Sequence, residues 1–121
     1  MNYQTWYGHG DVVGVPFDFY IPLTGFAITM QTGILVLNPA GTLATGAVTL
    51  PLNPVDGAYG EISSTQTQTA LTVSANTGDS IVGTAVTALV ADTRVAYRYT
   101  LNGFQPASGA AVNPRSWVRV Q

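Results

Sequence analysis

The sequence contains no cysteine and no lysine, and its 121 residues include a single histidine, His9. Without cysteine the chain can form neither a disulfide nor a thiolate metal site. One imidazole supplies too few ligands for a zinc or other transition-metal centre. The glycine-rich loops that hold phosphate groups in nucleotide-binding proteins are also missing. We therefore expect no bound metal ion and no other cofactor.

Charged side chains are scarce, at 8% of the residues with a net charge of −2, against roughly 25% in ordinary globular domains. The only cations are four scattered arginines, too few to form the positive face that phosphate binding requires, so nucleic acid is not an expected partner. A surface with few charges favours association with other proteins. The alternative is that Thr, Ser, Asn and Gln solvate the surface. Aromatic residues near the N-terminus favour association.

Long apolar runs are absent too. No stretch approaches the ~20 consecutive apolar residues that a membrane-spanning helix needs. The N-terminal sequence, MNYQTWYGHG, has neither the basic segment nor the apolar segment of a secretory signal peptide. We expect a protein that is neither embedded in a membrane nor secreted.

Candidate catalytic groups do not form a recognisable constellation. A Ser-His-Asp arrangement would have to use His9, with Asp11 or Asp18 to orient it, and no Gly-x-Ser-x-Gly turn presents a serine. A carboxylate pair for glycoside hydrolysis would combine Glu61 with an aspartate such as Asp56. Asp56 belongs to a turn, where aspartate is expected for backbone reasons. We expect no enzymatic activity.

Short apolar stretches interrupted by turn residues are present along most of the chain, which contains 13 glycines and 7 prolines. The clearest is residues 93–101, where Val95 and Tyr97 would face one way and Arg94 and Arg98 the other. About nine or ten such stretches can be counted, and none has the period of a helix. The sequence predicts an all-β fold, a sandwich or barrel of the jelly-roll kind.

Two segments are candidate partner contacts outside this pattern. Residues 1–16 are predicted to be an N-terminal arm that orders on a neighbour, or else a first edge strand, and residues 17–121 form the β-domain. Residues 103–114 form a long loop, which is either a contact loop or a tolerated insertion. The candidate contact residues of these segments, of the exposed strand face and of the position just after the loop are Tyr3, Trp6, Tyr7, His9, Arg94, Arg98, Phe104 and Arg115.

The arginines of residues 93–101 have two possible roles. Arg94 and Arg98 could pair with Glu61 or Asp92 inside the sheet. They could instead bind carboxylates of a partner, for which the rigid fork of guanidinium donors is well suited.

Several motifs resemble a module of bacteriophage tail-fibre and other virion structural proteins. They are the VTLP start followed by a Pro-x-Asp-Gly turn, the LTVSANTG middle with a following Ile-x-Gly, and the YRY and WVR ending. The resemblance covers residues 34–99 and 117–119. It does not extend to the aromatic N-terminal part of the chain, and the loop at residues 103–114 is longer than in the module.

The resemblance implies a virion component built from β-structure that assembles in copies, commonly trimers. Tail fibres are long and carry a shaft, whereas this chain is short. A head decoration (cement) protein, which binds the capsid exterior and bridges major capsid subunits, suits the size better. The alternative is a tail-fibre, head-fibre or host-contact module. The expected partners are the major capsid protein or other virion proteins, and the expected location is the capsid exterior or tail after synthesis in the host cytoplasm.

Overall fold

The computed structural model describes residues 18–121, and that part of the chain contains nine β-strands and no helix. In chain order they are β1 (Asp18–Tyr20), β2 (Phe26–Thr29), β3 (Ile34–Leu37), β4 (Gly46–Thr49), β5 (Tyr59–Ser64), β6 (Leu71–Ser74), β7 (Ser80–Val82), β8 (Thr93–Thr100) and β9 (Ser116–Arg119). The all-β prediction is confirmed. The arm at residues 1–16 lies outside the described residues.

The first six strands alternate between two sheets and pair in parallel. Strands β1, β3 and β5 are neighbours in one sheet, and β2, β4 and β6 form the other. Each turn of the chain therefore adds one strand to each sheet, which makes three successive coils. We measure the length of a coil as the distance along the sequence between aligned residues of neighbouring parallel strands. Asp18 of β1 and Leu35 of β3 are one such pair, and Phe26 of β2 and Gly46 of β4 are another. Parallel strands need a long crossover, and the strand in the opposite sheet lies within it.

This arrangement differs from a jelly roll, in which strands pair antiparallel, and the described strands do not close into a barrel. The prediction rested on strand number and local alternation. Alternation shows which face of a strand is buried but not which strand lies beside it, so the parallel coils could not be deduced from it.

The C-terminal strands extend the larger sheet beyond the last coil. Its order is β1-β3-β5-β8-β9-β7, with β8 antiparallel to both β5 and β9, and with β7 parallel to β9. The segment before β8 lies along the last coil, where Gln68 and Leu89 exchange backbone hydrogen bonds of 2.7 and 3.0 Å. The last coil is therefore covered by protein, whereas β1 and β2 are the outermost described strands at the other end.

Within residues 18–121, side chains from both sheets form one apolar core. Its buried members are Phe26, Met30, Leu35, Leu37, Val48, Leu50, Ile62, Leu71, Val86, Leu89, Val95, Tyr97, Tyr99 and Trp117. On β5, Gly60, Ile62 and Ser64 face inward while Tyr59, Glu61 and Ser63 are only partly buried, which is the alternation of a strand with one buried face. Gly60 gives the indole of Trp117 room, because a Cβ at position 60 would lie 3.2 Å from it, a tight contact.

Gly46 on β4 is required by the packing of Phe26 from β2. A Cβ at position 46 would overlap the Phe26 ring, and Phe26 is buried with 8% exposure. We expect Gly46→Ala to lower the free energy of unfolding by about 1–3 kcal/mol, because the ring must leave its position in a packed core. Urea denaturation of the full chain measures the change.

Gly41→Ala is the matched control, since no atom lies within 4 Å of a Cβ at position 41. It should change stability by no more than ~0.5 kcal/mol. Equal losses for the two variants would show that the Phe26 contact is not what constrains position 46.

Candidate contact surfaces

The eight residues predicted to contact a partner fall into three groups. Tyr3, Trp6, Tyr7 and His9 lie outside the described residues. Arg94 and Arg98 lie on the outer face of β8, whose inner face carries buried Val95, Tyr97 and Tyr99. Phe104 and Arg115 belong to the connection between β8 and β9. The structure therefore does not gather the described candidates into one site.

Arg94 is engaged inside the sheet, as the first of its two possible roles predicts. Its guanidinium lies 3.7 Å from Glu61 and donates a 3.1 Å hydrogen bond to the side chain of Gln121. Its side chain remains 50% exposed, so the ion pair contributes at most about 1 kcal/mol. These residues line one side of an open groove of ≈ 620 Å³ that also includes Ser63 and Asp92. The groove therefore offers a positively charged donor, Arg94, and two carboxylate acceptors, Glu61 and Asp92.

Arg98 extends the same row of polar contacts. Its guanidinium lies 4.9 Å from the centre of the Tyr59 ring and donates a 3.1 Å hydrogen bond to the carbonyl of Gly57. The Tyr59 hydroxyl donates a 2.8 Å hydrogen bond to Glu61. That bond, together with burial, raises the pKa of Tyr59 above its usual value. A continuous polar row therefore crosses the outer face of β5 and β8 from Arg98 to Arg94.

Arg115 holds a buried carboxylate rather than projecting freely. Its guanidinium lies 3.0 Å from Asp79, whose side chain is fully buried, and donates a 3.1 Å hydrogen bond to the carbonyl of Gly78. The Tyr99 hydroxyl donates a 2.8 Å hydrogen bond to the same oxygen of Asp79. No local sequence pattern signals this burial, because the partners of Asp79 are distant along the chain.

The connection between β8 and β9 forms a small hairpin of its own. Phe104 and Val112 exchange backbone hydrogen bonds of 2.7 and 2.8 Å, and both side chains are about half exposed. The backbone N–H of Leu101 donates a 2.8 Å hydrogen bond to Asp56, which brings the exposed Val55 to the same end of β8. We call the exposed side chains of Val55, Leu101, Phe104 and Val112 the loop surface.

A second exposed apolar surface was not predicted. Ile21 and Leu23, which follow β1, are 73% and 80% exposed, and Tyr20 is 37% exposed. We call these three side chains and the outer edge of β2 the open end. Tyr20 is aligned with the C-terminal ends of β3 and β5, whereas the loop surface lies at the N-terminal end of β5. The two surfaces are therefore at opposite ends of the strands. One sequence signal marks the open end, namely that no charged residue occurs between Asp18 and Asp56.

Within residues 18–121, no three His, Cys, Asp or Glu side chains lie close enough together to hold a metal ion. The same part of the chain contains no helix long and apolar enough to cross a membrane.

The raised pKa values of two tyrosines, Tyr97 and Tyr99, lead to a prediction of how the stability of the protein depends on pH. Burial raises the pKa of Tyr97 and, together with the hydrogen bond to Asp79, that of Tyr99. A raised folded-state pKa contributes stability that is complete below the unfolded value of about 10 and is lost as pH rises through the folded value. We expect the free energy of unfolding to fall above about pH 10. Urea denaturation from neutral to strongly alkaline pH measures the decline.

Tyr99→Phe should make that decline shallower, because one titrating group is removed. At neutral pH the same variant should be less stable by about 1–2 kcal/mol, since Asp79 loses a hydrogen-bond donor. An alkaline slope identical to that of the unmodified protein would contradict the assignment.

Comparison with known proteins gives no family to which the chain can be assigned. No protein-family model, no curated protein and no solved structure matches this chain. Its function is therefore inferred from its own residues and geometry.

Proposed function

We propose that this protein is a structural component of a bacteriophage virion, and specifically a decoration protein that binds the outside of the capsid and stabilises the shell. The observation that carries the proposal is the presence of two exposed apolar surfaces, the open end and the loop surface, at opposite ends of one small fold. Exposed apolar side chains grouped in this way are typical of protein contact sites. Two such surfaces suit a protein that lies between other proteins.

The scarcity of charge supports the same role. Only 8% of the residues are charged, and Arg94 and Arg115 are already occupied by carboxylates of the same chain. Such a surface gives little protection against association, which suits a protein that acts in an assembly. The resemblance of residues 34–99 and 117–119 to phage virion modules supports a virion as that assembly.

In the proposed mechanism, many copies bind the expanded shell and bridge neighbouring major capsid subunits. Because they bind only the assembled shell, mass action stabilises it against the pressure of the packaged genome. The N-terminal arm, residues 1–16, is the proposed clasp on the capsid. We propose that the β-domain, whose two sheets enclose a core in the manner of a sandwich, projects outward and assembles with further copies, as a trimer. The role is structural and not enzymatic.

Deletion of residues 1–16 tests the clasp. We expect the purified protein to sediment with expanded capsids of its source phage, saturating at a copy number set by capsid symmetry. We expect the truncated protein, with its β-structure verified by circular dichroism, to bind at least about 100-fold more weakly because the anchoring contacts of an interface are concentrated in a few residues.

The matched control is the double variant Phe104→Ser and Val112→Ser, which makes the hairpin part of the loop surface polar and leaves the arm intact. It should bind capsids as the unmodified protein does. If the intact protein ignores capsids at saturating concentration, the decoration role is wrong. If the double variant loses capsid binding and the truncated protein keeps it, the capsid is bound by the loop surface and not by residues 1–16.

A host-contact module in a tail or head fibre is the second candidate, favoured by the half-exposed Phe104 and Val112 in a hairpin built of small residues. In that case the same double variant should lose adsorption to host cells, because it removes the two apolar side chains of the hairpin. The truncated protein should still adsorb. Binding of labelled protein to host cells measures both, and full adsorption by the double variant would exclude this role for the loop surface.

A further inference from the structure

We propose that Asn102 is a site of spontaneous deamidation, and that the hydroxyl of Thr100 sets the rate of this reaction. The inference concerns the chain itself and holds whichever partner the protein binds. Asn102 is exposed and follows the end of β8, between Leu101 and Phe104 of the loop surface. A chemical change at position 102 therefore alters one of the two exposed apolar surfaces.

The sequence leaves Asn102 as the most susceptible asparagine. Deamidation requires the backbone nitrogen of the next residue to reach the side-chain amide carbon, so the identity of that residue decides the rate. Three of the six asparagines precede proline, whose nitrogen has no proton to lose, and these are Asn38, Asn53 and Asn113. Asn76 precedes a β-branched threonine, and its side chain already forms two hydrogen bonds. Asn102 alone precedes glycine, which has no side chain to obstruct the approach.

The fold requires the glycine at position 103. Its φ is +80°, in the left-handed region that favours glycine. A Cβ at position 103 would overlap the carbonyl oxygen of Val112 and lie 2.9 Å from the nitrogen of Pro114. This close approach brings together the two sides of the hairpin in which Phe104 and Val112 exchange hydrogen bonds. The hairpin therefore keeps a reactive Asn-Gly pair at its base.

The reaction is a cyclisation followed by hydrolysis. The backbone nitrogen of Gly103 loses its proton to solvent and attacks Cγ of Asn102, and the side-chain nitrogen leaves as ammonia with a proton taken from water. Water then opens the resulting cyclic imide. Attack at Cγ gives aspartate, and attack at the backbone carbonyl carbon gives isoaspartate. Neither step needs a reactant other than water, and asparagine is accordingly a heat-labile residue.

Thr100 holds the nitrogen that must attack. The backbone N–H of Gly103 donates a 3.0 Å hydrogen bond to the Thr100 hydroxyl, which in turn donates a 3.2 Å hydrogen bond to the carbonyl of Gly103. Thr100 is fixed in turn because it is the last residue of β8 and is aligned with Ser116 of β9. The nitrogen must give up this hydrogen bond before it can attack, so the turn slows the reaction without preventing it.

Conversion of Asn102 changes the loop surface in two ways. Each converted copy gains a negative charge next to Leu101, in a chain whose net charge is already −2. A charge resists burial against a partner unless it is paired there. Isoaspartate also adds a carbon to the main chain inside the turn that Thr100 closes. A partner that binds the loop surface therefore distinguishes freshly made copies from aged ones.

Peptide mass spectrometry of the full chain, folded and unfolded in urea, measures the conversion of each asparagine during incubation at mildly alkaline pH. We expect Asn102 to convert faster than any other asparagine in both states, and more slowly in the folded state than in urea. Thr100→Val should speed the conversion of Asn102 in the folded protein by about 2- to 10-fold, the factor that corresponds to one ordinary hydrogen bond. In urea, where the turn is lost, this variant should convert at the rate of the unmodified chain.

Thr100→Ser is the matched control, because it keeps the hydroxyl and should convert at the rate of the unmodified protein. Circular dichroism verifies that each variant is folded, and Thr100→Ala replaces Thr100→Val if valine prevents folding.

Three outcomes would overturn the proposal. They are equal rates for the folded unmodified protein and the variant without the hydroxyl, a serine variant that converts as fast as that variant, and faster conversion of another asparagine. No partner takes part in the measurement, so its result is independent of the sedimentation and adsorption experiments.

Discussion

The contact between Trp117 and Gly60 joins the two halves of the fold. The coils bring Gly60 to the inner face of β5, and the antiparallel strands bring Trp117 to the same place, where its side chain is fully buried. The indole also packs against Tyr99, with ring centres 5.2 Å apart. A large aromatic group of this kind buries roughly 150–250 Å² of surface. Because a core is close-packed, a side chain at position 60 would require the ring to shift by a few tenths of an ångström.

The residues that resemble phage virion modules have structural tasks in this fold. Asp56 accepts the backbone N–H of Leu101, and Gly57 donates to the carbonyl of Tyr99, so the Pro-x-Asp-Gly turn anchors the end of β8. Asn76 binds the carbonyl of Leu50 and the N–H of Thr77. These motifs build the coils and their cover.

The sequence allowed the strands and their buried faces to be predicted, most clearly for β8, where Val95 and Tyr97 point inward and Arg94 and Arg98 outward. It also allowed the pairing of Arg94 with Glu61 to be anticipated. The order of strands could not be predicted, because parallel pairing joins residues that are a whole coil apart along the chain. The exposed apolar open end was missed for the same reason: whether a strand is central or at an edge depends on its neighbours and not on its own residues.

The uncharged stretch from Phe19 to Val55 has a kinetic consequence for anything that docks against the first coils. Charged interfaces are guided to each other over distances of about a Debye length, which shortens as salt increases. The open end has no such guidance, so encounters there must find the correct orientation by diffusion alone, at rates of about 10⁵–10⁶ M⁻¹s⁻¹. A partner that is already tethered nearby avoids this slow search, whereas a free partner must be present at high local density.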